Sequence, residues 1–218
     1  WSYYLIKASA DLAAEQGSIE GANETKYGNG LTPNQTYKTE VDELVPHVER
    51  KDWASLREQL KDTGIRNSTL MALMPAETSA QISNSTNGIE PPRSLVSVKQ
   101  SKHGVLKQVV PGIHHLKNKY DLLWQQKSPE GYLKIMAVLQ KYIDQGISVN
   151  TSYNPEFYED EKIPMSVMLQ HLIMFYKFGG KQLYYFNTYD GQGEIEFKDD
   201  EPLEQGAVDD EDCESCVI

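Results

Sequence analysis

Leu73–Pro92, LMPAETSAQISNSTNGIEPP, is the stretch that decides how the rest of the chain is read. An apolar run, Leu70 to Met74, meets Pro75 and stops. Ala76, Glu77, Thr78 and Ser79 follow, the small, acidic and hydroxyl residues that open a helix just after a proline. A strand running into a helix start leaves backbone N–H groups aimed outward, at an end carrying roughly half a positive charge from the helix dipole. Such a turn is a natural seat for a phosphate. The same residues also make an ordinary capped helix, and many strand–helix turns hold no ligand.

Upstream of this turn, apolar residues at helical spacing predict a helix over Tyr3–Ala14, and the Gly- and Asn-rich 17–30 segment predicts a loop. Pro33 and Thr36 introduce a short helix to about Leu44. Asp52 caps a second one, WASLREQLKD, closed by Gly64. Arg66 to Met74 has the pattern of a buried strand. Downstream, two β-prone runs flank SKHG and predict a hairpin over Leu95–Val98 and Val105–Val110. Helices are expected over Ile113–Gln126 and Pro129–Gln145, then a strand over Ile147–Tyr153. Pro164 opens MSVMLQHLIMFYKF, which Gly179-Gly180 ends, and Lys181–Thr188 is the last strand. Strands alternating with helices argue for an α/β fold of parallel βαβ units with right-handed crossovers. About three such strands are too few to close a barrel.

The 218 residues are enough for one domain with a proper core. Most of the net charge of −11 sits in the tail, where residues 199–218 hold nine acidic side chains and no Lys or Arg. That balance argues against nucleic acid as a partner. There is no apolar run near the roughly 18 residues a membrane span needs, and no signal-peptide pattern, so a cytoplasmic location is expected. Five N-x-S/T triplets, at Asn23, Asn34, Asn67, Asn84 and Asn150, are taken as chance. A first residue of Trp suggests a piece of something longer. His114 and His115 fit a surface or capping role, and no spacing of ligands marks a metal site.

Two features could carry redox chemistry. Tyr184 and Tyr185 lie side by side in KQLYYFNT. Aromatics favour strands, and a neighbouring pair ordinarily places one ring in the core and one on the other face. Alternatively both phenols are stepwise radical carriers, which would require a local departure from ideal pleating. Cys213 and Cys216 are the only cysteines and form C-x-x-C near the end. The zinc pattern is incomplete and the βαβ context of a thioredoxin-type centre is missing. A mobile dithiol exchanging with an external reductant fits an acidic, flexible tail.

MPAETSAQISNSTNGIEPPR resembles the substrate loop of the large (catalytic) subunit of class I ribonucleotide reductases. YYLIKASADLA, TGIRNSTLMALMP, KQVVP, YIDQGISVNTSYNP and YKFGGKQLYYFNT match the same family in order. The resemblance implies the later part of a ten-stranded α/β barrel, incomplete in this chain, over residues 1–190, with a flexible acidic tail at 191–218. It implies conversion of ribonucleoside diphosphates to 2′-deoxyribonucleoside diphosphates, for DNA synthesis. Pro75, Ala76, Glu77, Thr78 and Ser79 would hold the substrate's phosphates, although Ala76 replaces a serine common in relatives. Tyr184 and Tyr185 would relay the radical, and Cys213 and Cys216 would shuttle electrons from thioredoxin or glutaredoxin. Leu172 and Lys177 would lie where the small subunit's carboxyl-terminal peptide docks, whereas core packing is the plainer role for Leu172 and Phe175.

No cofactor is expected in this chain itself. The di-iron tyrosyl radical belongs to the partner small subunit, and the family's ATP and effector sites to a part not contained here. Neither the radical cysteine nor the active-site dithiol is present, so the polypeptide alone is expected to be inactive. A naturally split subunit and a truncated chain would both have this content. Two other classes fit parts of the sequence: a stand-alone dithiol redox protein and a non-catalytic phosphate-binding module.

Overall fold

A computed structural model describes residues 1–101 and 104–190, apart from the side chains of residues 77, 78, 81, 99–101, 105 and 106. In chain order its elements are α1 (Ser2–Gln16), α2 (Trp53–Thr63), α3 (Glu77–Ile82), β1 (Val96–Ser101), β2 (Gly104–Val109), α4 (Ile113–Leu116), α5 (Glu130–Gln140), β3 (Val149–Tyr153), α6 (Met165–Lys177) and β4 (Leu183–Thr188). Helix and sheet are mixed, as the alternation of patterns predicts. β1 and β2 form one two-stranded sheet, and β3 and β4 another. Leu73 adds a lone parallel bridge to Ile147, just ahead of β3. No closed barrel is present among the described residues.

The chain divides into two units. The first comprises Trp1–Met74, Pro129–Thr151 and Pro164–Tyr185. It holds two cores, each built from helical stripes. Ile6 and Ala10 of α1 pack with Trp53, Leu56 and Leu60 of α2 and with Tyr27, Ile65 and Met71. The Asp52 carboxylate caps α2 by accepting from the Ser55 N–H at 3.0 Å, and Gly64 (φ 72°) ends it, as the sequence predicts. Val41, Leu133, Met136, Ala137, Ile147, Val149, Phe175 and Phe178 make the second core, which carries β3 and the inner face of α6.

Gly180 follows α6, and its missing side chain is what lets Phe175 lie against the backbone. A Cβ there would fall into the Phe175 ring, which is buried. Gly180→Ala is therefore expected to cost about 1–3 kcal/mol of stability through overpacking. Urea unfolding checks this, and an unchanged midpoint would show that the ring has room to move.

Among the described residues, the second unit comprises those of Pro75–Ser128, Ser152–Ile163 and Phe186 to Asp190. The hairpin forms as expected, antiparallel, with Val96 opposite Val109 and Ser101 opposite Gly104. Tyr153 stacks on Phe186 with ring centroids 4.8 Å apart. Asn154 is buried, accepts from the Glu156 N–H at 3.1 Å and donates Nδ2 to the Trp124 carbonyl at 3.1 Å.

Four expectations are corrected. The helix from Pro33 to Leu44 is two 3-10 turns, Pro33–Gln35 and Thr39–Glu43. Lys38 between them is extended, and its ammonium donates to the Tyr176 carbonyl at 2.9 Å, so the chain is pulled off the helical path. The Arg66–Met74 strand is reduced to the Leu73 bridge. Its Leu70 and Met71 N–H groups donate to the Asp144 carboxylate, at 2.7 and 3.0 Å, and so leave the ladder. The helix over Ile113–Gln126 is short at α4 and then breaks into 3-10 turns at Lys117–Lys119 and Leu123–Gln125. Tyr120 between them is extended, and its hydroxyl donates to the Pro111 carbonyl at 2.7 Å. α5 also stops earlier than expected, at Gln140. That side chain donates to the carbonyls of Ile143 (3.0 Å) and Gln145 (2.8 Å), fixing a turn where the helix would have continued.

Candidate functional site

β4 carries Tyr184 and Tyr185, 47% and 55% exposed. Their ring centroids are 4.2 Å apart at 58°, and the Tyr185 hydroxyl donates to that of Tyr184 at 3.5 Å. The arrangement with one ring in the core and one on the far face is not adopted. The hydroxyls face each other at the outer limit of hydrogen-bond distance, so loss of an electron from one ring can be coupled to movement of a proton between them. The Tyr185 N–H donates to Oδ1 of Asn150, on β3, at 3.0 Å.

A separate network fixes the segments that lead into β3 and β4. Asp144 accepts from the Tyr27 hydroxyl at 2.8 Å as well as from Leu70 and Met71. Burial and then the hydrogen bond to Asp144 push the Tyr27 phenol above its ordinary value, so it stays a donor. The Lys181 ammonium donates to the Asp144 carbonyl at 2.7 Å, tying the chain just ahead of β4 to the turn ahead of β3.

Leu172 and Lys177 lie on α6. Leu172 is 46% exposed rather than packed in the core, while Phe175 is buried. Met165, Leu169, Ile173 and Tyr176 are exposed too, and with Leu172 they follow helical spacing along one side of α6. Lys177 already has an acidic partner within the unit, the exposed Glu43 at 3.3 Å. Lys38 sits 3.2 Å from the centroid of the Tyr176 ring.

In the second unit, Pro75 and Ala76 precede α3 as the turn reading requires. The Ala76 N–H donates to Oδ1 of Asn87 at 2.8 Å, so that donor is held inside the loop. The exposed Ser79 hydroxyl donates weakly to the Ala76 carbonyl at 3.4 Å. Glu77 and Thr78 contribute their backbone to the first turn of α3, and their side chains lie outside what is described. The far end of this loop is held by Gln108 of β2, whose Nε2 donates to the Ser85 carbonyl at 2.7 Å. Cys213 and Cys216 lie outside the described residues.

Asn87, Asp144 and Asn150 were missed by sequence reasoning. A signal existed for Asn150: an amide in the middle of a strand pattern is a poor β former and calls for a partner. Its triplet, like that of Asn34, is on a buried residue, which no glycan could occupy in this fold. His114 and His115 are exposed. Among the described residues no three His, Cys, Asp or Glu side chains gather in a way that could hold a metal ion. No described helix is long and apolar enough to cross a membrane.

Compared with known proteins, residues 1–186 match the family described as ribonucleotide reductase, barrel domain. The chain is 52% identical over 206 residues to the ribonucleoside-diphosphate reductase subunit alpha of Haemophilus influenzae, covering 94% of this chain and 27% of that protein. It is 53% identical over 189 residues to the ribonucleoside-diphosphate reductase 1 subunit alpha of Escherichia coli K12, covering 87% and 25%. The corresponding subunit of Enterobacteria phage T4 is 44% identical over 218 residues, covering 99% and 28%. The chain thus spans about a quarter of the length of the curated relatives it matches.

Proposed function

Because the chain belongs to the ribonucleotide reductase barrel-domain family, we propose that it is the carboxyl-terminal part of a ribonucleoside-diphosphate reductase large subunit. In this reading residues 1–190 supply later strands of a ten-stranded α/β barrel, and 191–218, outside the described residues, are the acidic tail that holds the cysteine pair. Pro75, Ala76, Glu77, Thr78 and Ser79 bind the phosphates of a ribonucleoside diphosphate, through backbone N–H groups at the start of α3 and the hydroxyls of Thr78 and Ser79. With the Ala76 N–H engaged by Asn87, the donors offered to phosphate are those of the residues after it. Cys213 and Cys216 return electrons by thiol–disulfide exchange with thioredoxin or glutaredoxin. Leu172 belongs to the apolar side of α6 that receives the small subunit, and Lys177 would have to exchange Glu43 for an acidic group there. The metal-based radical is made on that partner, and the assembly works in the cytoplasm.

The observation that carries the reading is the Tyr184–Tyr185 contact, with hydroxyls 3.5 Å apart. A phenoxyl at one position takes a hydrogen atom, one electron and one proton, from the phenol of the other. One O–H bond forms as the other breaks, and the radical moves by one residue. The oxidising equivalent enters from the small subunit and leaves toward the active-site cysteine in the remainder of the large subunit.

The test is reduction of a ribonucleoside diphosphate by the chain alone, then mixed with the remainder of the large subunit, the small subunit and a thiol reductant. No turnover alone and turnover on mixing are expected. Deoxynucleotide formed by the chain alone, or no gain from the full mixture, would sink the assignment.

A further inference from the structure

We propose that Asn150 is a positioning residue that sets the geometry of the Tyr184–Tyr185 pair; the inference rests on reading that pair as a relay. Neighbouring residues on a strand point to opposite faces. Tyr184 and Tyr185 are neighbours on β4, yet their rings are in contact, with centroids 4.2 Å apart. The two side chains therefore depart from the alternation of a regular pleat, and something must hold them together. Asn150 does this: its Oδ1 accepts the Tyr185 N–H at 3.0 Å from a position 35 residues away.

Asn150 is placed where such a bond costs most to lose. It is 6% exposed, on β3 between the buried Val149 and Thr151. Asparagine is disfavoured in a buried strand, where Val or Ile would pack better, and it persists there only with its polar atoms engaged. A side-chain acceptor stands farther from the β3 backbone than a carbonyl oxygen does, so it meets the Tyr185 peptide where a plain ladder would not. The segment is restrained on its other side as well. Leu183 packs against the second core and Lys181 is tied to the Asp144 carbonyl. With β4 anchored just before the pair, Asn150 holds the peptide of Tyr185 against relaxation of the rings to opposite faces.

The first test uses the isotope-labelled full chain in solution. A scalar coupling across the hydrogen bond, from the Tyr185 amide nitrogen to the Asn150 side-chain carbonyl carbon, is expected, together with ring-to-ring nuclear Overhauser effects between Tyr184 and Tyr185. Asn150→Leu keeps the branched outline and removes the acceptor; both signals should vanish while those of α1 and α2 stay in place. Asn150→Asp keeps the acceptor oxygen and should keep the ring contacts.

In the assembled reductase, Asn150→Leu should lower kcat about 100-fold with KM for the ribonucleoside diphosphate unchanged, the scale expected when reacting groups are displaced by about an ångström. Asn150→Asp should recover most of that loss. Absence of the coupling in the parent chain overturns the proposal, as do preserved ring contacts or normal turnover in Asn150→Leu. Should Asn150→Leu fail to fold, the parent coupling and the Asn150→Asp variant decide. Failure of the relay reading is separable: the spectroscopic results would stand while Tyr184→Phe or Tyr185→Phe left turnover intact.

Discussion

Lys141→Ala is expected to lower the unfolding free energy by about 2–3 kcal/mol, below the scale for a fully buried ion pair because the Asp42 side chain is 31% exposed. Lys141 is 1% exposed. Its ammonium donates to Asp42 Oδ1 and to the Val45 carbonyl, both at 2.7 Å, and lies 5.3 Å from the centroid of the Tyr37 ring. The Tyr37 hydroxyl donates to the other Asp42 oxygen at 2.8 Å. Alanine leaves a void, a carboxylate short of its main donor and an unpaired carbonyl. The double variant Lys141→Met, Asp42→Asn should lose less than the sum of the single changes, because neither half is then left charged beside the core.

Acid titration supplies a second signature. Burial by itself would raise the Asp42 carboxyl, but hydrogen bonds from Lys141 and Tyr37 outweigh it and hold the group below its ordinary value. A group depressed in the folded state contributes stability that is complete above its unfolded value, about 3.9 for aspartate. That contribution is lost as pH falls through the depressed folded value. Without Lys141 the depression goes, so the gap between parent and variant should narrow on moving from pH 7 to pH 3. Urea unfolding at the two values measures it, and a gap that widened in acid would refute the account.

How far the sequence reveals this molecule depends on the distance over which each feature is decided. Asp52, Gly64, Pro75, Pro164 and Gly179 mark helix ends by local chemistry, and the elements they bound are found where they predict. The hairpin is equally local. Arg66–Met74 fails as a strand because its N–H groups go to Asp144, about seventy residues away, which no window of sequence contains. The helix over Ile113–Gln126 has the apolar spacing but is interrupted at Tyr120, whose hydroxyl finds the Pro111 carbonyl.

Burial on α6 is invisible for a related reason. Leu172 and Phe175 are both apolar and three residues apart, yet only the second faces the core. Of the candidate site, the phenol pair and the proline-led turn are visible as residue types, and the family resemblance gives them roles. Their supports, Asn150 and Asn87, are not visible, since a side chain that bonds to a distant backbone leaves no periodicity behind it. Residue type announces the chemistry, and tertiary contacts aim it.

Neither Tyr184→Phe nor Tyr185→Phe should support turnover in the assembled reductase, while stability stays within about 0.5 kcal/mol of the parent, as for other exposed substitutions. Both rings are about half exposed, and the contact between the hydroxyls is long, at 3.5 Å. Removing one oxygen therefore leaves the other within reach of solvent, and the ring packing is retained. The chemistry is not. Phenylalanine has no O–H bond to break, so it cannot give up an electron and a proton together or accept them back. Substrate affinity resides in the turn at 75–79 under the same reading, so ligand binding should be unaffected. Unchanged unfolding and binding with lost turnover would assign the role to the two hydroxyls themselves. Turnover near the parent's in either variant would return the pair to ordinary strand packing and remove the support for the relay.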